Sequence, residues 1–161
     1  MTSIRRSAAW LYGAAAAAYL LDRLTKAWAE GALAGRPPIR VIPGVLSLNY
    51  TTNSGGAFGL GRSAPWFFAA ATITVALVIV AVSFRAHRPS IAVGLGLILG
   101  GGLGNLTDRA LNGDGLLTGR VVDFIDLHVW PVFNVGDTAI VAGAVLLAAA
   151  SARHEHVPEG S

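Results

Sequence analysis

Long apolar segments alternate with shorter polar stretches along this chain. The apolar segments occupy about residues 7–28, 63–84, 89–107 and 129–152. The run from Ser63 to Phe84 carries no charged residue. As a helix it would extend roughly 33 Å, enough to cross a hydrocarbon core about 30 Å thick. The pattern therefore predicts an all-α membrane protein with four transmembrane helices.

The connections between these segments predict the topology. Two longer loops, at about 29–62 and 108–128, lie on one side of the membrane, and the short 85–89 connection lies on the other side with both termini. Because Arg5, Arg6, Arg85 and Arg153 lie on the terminal side, the positive-inside rule places the termini in the cytoplasm. The bias is modest, since the outer loops also carry arginines, namely Arg36, Arg40, Arg62 and Arg120.

The first segment has an alternative interpretation as a cleavable signal peptide, because two arginines precede its apolar stretch. Asp22, Arg23 and Lys26 stand between that stretch and any cleavage site. We therefore expect an uncleaved first transmembrane helix.

The first outer loop contains a pattern with a period of two. After the turn at Pro43 and Gly44, two sets of residues alternate along the chain. One set is Val45, Ser47, Asn49 and Thr51, and the other is Leu46, Leu48 and Tyr50. Such alternation is typical of a strand. It predicts a small β-sheet subdomain in this loop, on the outer membrane face.

Glycines repeat every four residues in the third segment, at Gly96, Gly100 and Gly104. Small residues at this spacing let a neighbouring helix approach closely. We expect the third helix to lie inside the bundle, and we interpret Gly96 and Gly100 as packing residues without a chemical role.

Composition supports the membrane prediction and excludes several other classes. Hydrophobic residues make up 53% of the chain and charged residues 13%, which is too apolar for an ordinary soluble domain. The net charge is +3, but the arginines are scattered, so we expect no nucleic-acid partner. The absence of cysteine excludes disulfides and thiolate sites.

Ionisable residues near the ends of the predicted helices need an explanation, since each costs about 2.5 to 3.5 kcal/mol at a membrane centre. Asp22 and Lys26 are four positions apart on the first helix and can pair. A stabilising ion pair and a direct site role are both open, and we interpret the two as supporting residues.

Asn105, Asp108 and Arg109 share one face at the end of the third helix. They could orient a substrate backbone or hold a headgroup phosphate. A helix-end cap with a local pair between Asp108 and Arg109 is the structural alternative.

Asp137 is the most unusual acid, because it lies in an apolar segment without a basic residue within four positions. Asn134 shares its helix face. Asp123 is the natural partner, although a continuous helix would hold the two acids about 21 Å apart. Pro131 breaks such a helix, so the chain can fold back and bring the acids together.

Two carboxylates at about 4 Å repel by about 4 kcal/mol at an effective dielectric of 20, or about three pK units. Such a pair would hold one proton near neutral pH, leaving one carboxylate to activate water and one acid to protonate a carbonyl, as in aspartic proteases.

The remaining acids have simpler interpretations. Asp114 and Asp126 are expected to be solvated loop carboxylates, so Asp126 serves as a control for the other two acids. His128 beside Asp126 could contribute to a metal site, but the histidine spacing does not favour one. Nothing in the sequence supports a nucleophilic serine.

Five ordered blocks in this chain resemble the lipoprotein signal peptidases, or signal peptidase II, a family of bacterial membrane aspartic peptidases. The blocks are LDRLTK, NSGGAF, GGLGNLTDR, VVDFID and FNVGDTAI. The resemblance extends over nearly the whole chain, and the order and spacing of the blocks make it specific.

The resemblance implies that Asp123 and Asp137 are the catalytic dyad. It also implies that Asn53, Asn105, Arg109 and Asn134 line the site, supported by Asp22 and Lys26. Implied substrates are prolipoproteins whose cysteine carries diacylglyceryl, cut just before that cysteine. The family also implies no metal or organic cofactor, inhibition by globomycin-type peptides, and contact with membrane lipids.

The chain departs from the family's usual residues at a few positions. Gly136 replaces a usual alanine, Arg23 a common glutamine, and Gly56 and Gly59 a frequent alanine and serine. The 110–120 stretch is longer than is common, which predicts a more mobile loop before Asp123.

We therefore expect a single peptidase domain over 1–161, monomeric, in the bacterial cytoplasmic membrane, with its active site near the outer face. Two alternatives come from other functional classes. A proton-coupled transporter would use Asp22 and Asp137 as proton carriers, but the second segment is apolar apart from threonines and two serines near its ends. A non-catalytic assembly subunit would use the glycine track but leave the two acids unexplained.

Overall fold

The computed structural model describes residues 2–55, 65–85 and 88–155. It is mostly helical, with one small sheet. In chain order the elements are α1 (Thr2–Leu33), β1 (Ile39–Ile42), β2 (Leu46–Asn53), α2 (Pro65–Val82), a 3₁₀ turn (Ser83–Arg85), α3 (Pro89–Leu111), β3 (Val121–Asp126) and α4 (Val135–Glu155).

Two of these helices are long and apolar enough to cross a membrane by length and composition, over Pro89–Leu111 and Val135–Ala152. The apolar part of α2, Trp66–Val82, is shorter. α1 is long but carries the charged residues near position 22. The prediction of four transmembrane helices therefore stays a prediction.

The predicted start of the fourth helix at about residue 129 is wrong. α4 begins at Val135, because the preceding segment folds back against β3 instead. α1 also extends past the predicted end at about 28, to Leu33. One face of its last turns is buried, where Ala29 and Leu33 pack against Phe124 of β3.

α3 lies between α1 and α4, as the glycine track predicts. A side chain at Gly96 would overlap the backbone oxygen of Leu11, and one at Gly100 would overlap that of Ala15. The close approach of α1 to α3 therefore requires glycine at both positions. Their interpretation as packing residues is confirmed.

The three strands form one antiparallel sheet in the order β1-β2-β3. The strand predicted after the Pro43 and Gly44 turn is confirmed as β2. The prediction placed the sheet in the first loop alone, and this is wrong, because β3 comes from the second loop. Thr51 of β2 pairs with Asp123 of β3, so the sheet holds one of the two predicted site acids.

Candidate active site

Asp123 and Asp137 line the same cavity, which has a volume of about 320 Å³. Asp123 lies in the middle of β3 and is 2% exposed. Asp137 lies in the first turn of α4. Three other predicted site residues line this cavity: Asn53, Asn105 and Arg109.

Between the two acids the chain folds back, and a short β-bridge holds the returning segment against β3. Phe133 donates to the Ile125 carbonyl over 3.0 Å, and Ile125 donates to the Phe133 carbonyl over 2.8 Å. Pro131 lies in the intervening segment, where no regular helix forms. The predicted fold-back is confirmed.

Asn134 links the two acids directly. Its side-chain amide donates to Asp123 Oδ1 over 2.7 Å, and its side-chain oxygen accepts the Asp137 backbone N–H over 2.8 Å. Asp137 Oδ2 in turn accepts the Asn134 backbone N–H over 3.3 Å. This reciprocal pattern is a capping box, so the group that starts α4 also orients both acids.

Asn105 connects Asp137 to α1. Its amide donates to Asp137 Oδ1 over 2.8 Å, while its side-chain oxygen accepts from Lys26 Nζ over 2.7 Å. Because Lys26 can only donate, it fixes which end of the Asn105 amide faces Asp137.

Arg109 lies on the same cavity but does not form the local pair with Asp108 that we considered as an alternative. Its guanidinium donates to the Gly55 carbonyl over 3.0 Å and lies 5.5 Å from the Phe68 ring centre. Asp108 instead binds the α1 residues Arg23 and Lys26. Arg109 therefore holds the backbone just after β2 beside the cavity.

Burial raises the pKa of Asp123 to about 7, and the neighbouring Asp137 carboxylate adds to this effect. Hydrogen bonds from Asn134 and Asn53 oppose it, as does the Lys26 charge. A carboxyl group in this range can exchange a proton at neutral pH.

Asp22 and Lys26 form a fully buried ion pair, with 2.8 Å between Lys26 Nζ and Asp22 Oδ2. Asp22 Oδ1 also accepts the backbone N–H of Gly136 over 2.8 Å. The pair therefore links α1 to the start of α4.

Asp126 and His128 lie apart from this site. His128 Nδ1 is 3.5 Å from Asp126 Oδ1, and Asp126 accepts the His128 backbone N–H over 2.8 Å. Within 2–55, 65–85 and 88–155, no group of three or more potential metal ligands comes together.

Sequence reasoning missed some of the groups around the cavity. Trp130, Pro131 and Phe133 line it, and Asp108 binds the backbone N–H of Val122 over 3.1 Å. The fold-back predicted at Pro131 was a signal that could have placed Trp130, Pro131 and Phe133 at the cavity. Gly56 and Gly59 lie outside the described residues.

Comparison with known proteins gives a consistent result. A family model described as "Signal peptidase (SPase) II" matches residues 14–153. A lipoprotein signal peptidase of Bifidobacterium longum subsp. infantis is 40% identical over 133 residues, 83% of this chain and 72% of that protein. One from Syntrophomonas wolfei is 43% identical over 129 residues, 80% of this chain and 83% of that protein.

The fold also resembles a solved structure of a bacterial membrane enzyme determined by the in meso method. The TM-score is 0.78 at 27% sequence identity, over 92% of this chain and 91% of the other.

Proposed function

The chain belongs to the signal peptidase II family of peptidases, and we propose that it removes signal peptides from diacylglyceryl-modified prolipoproteins by cutting just before the lipidated cysteine. In this proposal Asp123 and Asp137 form the catalytic dyad. The observation that carries it is the Asn134 side chain, which binds Asp123 and the backbone of Asp137 at one cavity.

The chemistry follows from two carboxyl groups that share one proton. The ionised carboxylate removes a proton from water as the water oxygen attacks the peptide carbonyl carbon, and the acid protonates the carbonyl oxygen. The tetrahedral intermediate then collapses, the C–N bond breaks, and the leaving nitrogen takes a proton from the dyad. No covalent enzyme intermediate forms, and we expect no metal or organic cofactor.

Asn53, Asn105 and Arg109 are proposed to line the substrate path. The Asn53 and Asn105 amides offer donors and acceptors for a substrate backbone. Arg109 holds the Gly55 carbonyl and stacks near Phe68. This would position the backbone at Gly55, just after β2, beside the scissile bond.

Membrane location suits the substrate, since a signal helix and acyl chains arrive laterally through lipid. Side chains of α2 and α4 contribute to the cavity wall, including Phe68, Thr72, Ile140 and Val141. We place all four helices across the bacterial cytoplasmic membrane, with cytoplasmic termini and the sheet and dyad at the outer face. Because one chain supplies both acids, a monomer is sufficient.

The transporter alternative is not favoured. α2 carries no charged residue, and the buried ionisable residues Asp22, Lys26, Asp108, Arg109 and Asp123 collect around the junction of the helices with the sheet. A proton path would need such groups to continue to the other side.

The direct test uses purified protein with a diacylglyceryl-prolipoprotein, read as a gel shift with and without a globomycin-type peptide. We expect cleavage that the inhibitor prevents. The same prolipoprotein without diacylglyceryl is the control and should stay uncut. An intact lipidated substrate, under conditions where a related enzyme cuts it, would contradict the proposal.

A further inference from the structure

A buried cluster of charges lies next to the proposed dyad. Asp22, Lys26 and Asp108 are each no more than 1% exposed. Lys26 Nζ lies 2.8 Å from Asp22 Oδ2, 2.9 Å from Asp108 Oδ2 and 2.7 Å from Asn105 Oδ1. The ammonium thus lies within ion-pair distance of two carboxylate oxygens and donates a hydrogen bond to the Asn105 amide oxygen. Buried charges are costly even when paired, so the cluster calls for a role beyond stability.

Each acid of this cluster also holds one backbone N–H group beside the dyad. Asp108 Oδ2 accepts from Val122 over 3.1 Å. Asp22 Oδ1 accepts from Gly136 over 2.8 Å. Val122 and Gly136 occupy equivalent places, because each immediately precedes one acid of the dyad. Lys26 joins the two contacts into one continuous connection.

We propose that Asp108 is a positioning residue, which acts with Asp22 and Lys26 to set the separation between the Asp123 and Asp137 carboxyl groups. The inference rests on the proposed function, because it concerns the alignment of the same dyad. Two carboxylates repel each other, so β3 and α4 must be held in place to keep them close. A misplacement of about 1 Å can cost a factor of about 100 in rate.

Arg23 provides a way to test whether Asp108 acts through its charge or by holding β3 in position. Its guanidinium pairs with Asp108 Oδ1 and is 29% exposed. Its positive charge balances the charge of the cluster, which then holds two carboxylates and two positively charged side chains. Asp108 contacts both the Arg23 guanidinium and the backbone of β3. Arg23 contributes the balancing positive charge.

The experiment compares three purified variants in the cleavage assay. Asp108→Glu keeps the charge but lengthens the side chain that holds Val122. Arg23→Gln changes the charge of the cluster. Asp114→Glu makes the matched substitution at an exposed loop acid.

We expect Asp108→Glu to lower kcat by about 10-fold or more with KM within about twofold. Arg23→Gln should stay within about threefold of the parent and Asp114→Glu should equal it. A folded Asp108→Glu protein with kcat within about threefold of the parent would overturn the proposal. Equal losses in Asp108→Glu and Arg23→Gln would also overturn it, because charge alone would then explain the effect.

If Asp108→Glu does not fold, Asp22→Glu applies the same test from the α4 side, with the same expected fall in kcat.

If the parent protein does not cleave lipidated substrate, the proposed function fails. The positioning is then still measurable by carboxyl NMR titration of Asp123, which faces Asp137 of α4, Arg109 of α3 and Lys26 of α1. A midpoint shift of about half a pH unit or more in Asp108→Glu supports the positioning, since repulsion depends on separation. An unchanged midpoint overturns it.

Discussion

Asn134 donates a 2.7 Å hydrogen bond to Asp123, although the two residues lie 11 positions apart in sequence. The same side chain accepts the Asp137 backbone N–H and so begins α4. One residue therefore starts a helix and aligns both acids. The Asp137 carboxylate itself accepts from the Asn105 amide over 2.8 Å and from the Asn134 backbone N–H over 3.3 Å, which explains how it is tolerated at the start of an apolar helix.

The two contacts of Asn134 can be separated by substitution. Asn134→Ser keeps a good N-cap residue but removes the amide that reaches Asp123, whereas Asn134→Ala removes both. We expect both variants to lose about 10-fold to 100-fold in kcat, because the acid loses its orienting partner. Both variants lose the buried amide bonds to Asp123 and Val122, and the alanine variant should lose about 1 kcal/mol more, because it also removes the helix cap. Cleavage rates and thermal unfolding measure the two effects, and a fully active serine variant would contradict this role.

The dyad itself predicts a sharp difference among three acids of one short segment. Asn at position 123 or 137 removes either the acid or the base, so Asp123→Asn and Asp137→Asn should each abolish cleavage of lipidated substrate. Asp126→Asn is the matched control and should retain activity, since an amide oxygen can still accept the His128 N–H. Membrane insertion of each variant is checked by fractionation. Full activity in either dyad variant would exclude the proposed mechanism.

The pH dependence of cleavage follows from the pKa of Asp123. Its pKa is raised to about 7 by burial and by the Asp137 charge. Below that pH the pair holds its shared proton, and above it the proton is lost. We therefore expect kcat to fall about tenfold per pH unit above about 7.

The Asn134→Ser variant provides a second test of the fall in kcat at alkaline pH, the alkaline limb of the pH profile. The Asn134 hydrogen bond lowers the pKa of Asp123, so its removal should move the alkaline limb to higher pH. A profile flat from pH 6 to about 9 would show that no group with a pKa near 7 takes part.

Folding stability should respond to the same group with a defined sign. The ordinary pKa of Asp is 3.8, and the folded pKa of about 7 lies above it. The folded protein therefore binds more protons than the unfolded chain between these values, and stability falls as pH rises through them. Asp123→Asn should consequently raise the unfolding temperature at pH 8 and change it little at pH 4. An equal effect at both pH values would contradict the burial argument.

Much of the site was predictable because its signals are local. An isolated acid in an apolar segment, with Pro131 before it, indicates a fold-back toward Asp123. The start of α4 was not predictable from hydropathy, because residues 129–133 are apolar whether they form a helix or a bridge to Ile125. The pairing of Arg23 with Asp108 was also not predictable, since these residues lie 85 positions apart and meet only after α1 packs on α3.

That packing gives the last prediction, in which one substitution is made at two glycines. A side chain at Gly100 would overlap the Ala15 backbone, whereas a methyl group at Gly13 would meet no described atom within 4 Å outside the backbone of its own helix. Gly100→Ala should therefore force α1 and α3 apart and lower stability by about 1 to 3 kcal/mol. Gly13→Ala should be neutral or stabilising by up to about 1 kcal/mol, since alanine favours helix. Thermal unfolding in detergent measures both. Because α1 carries Lys26 and Asp22, the Gly100 variant should also lose activity, and equal stability of the two variants would contradict the close approach of α1 to α3.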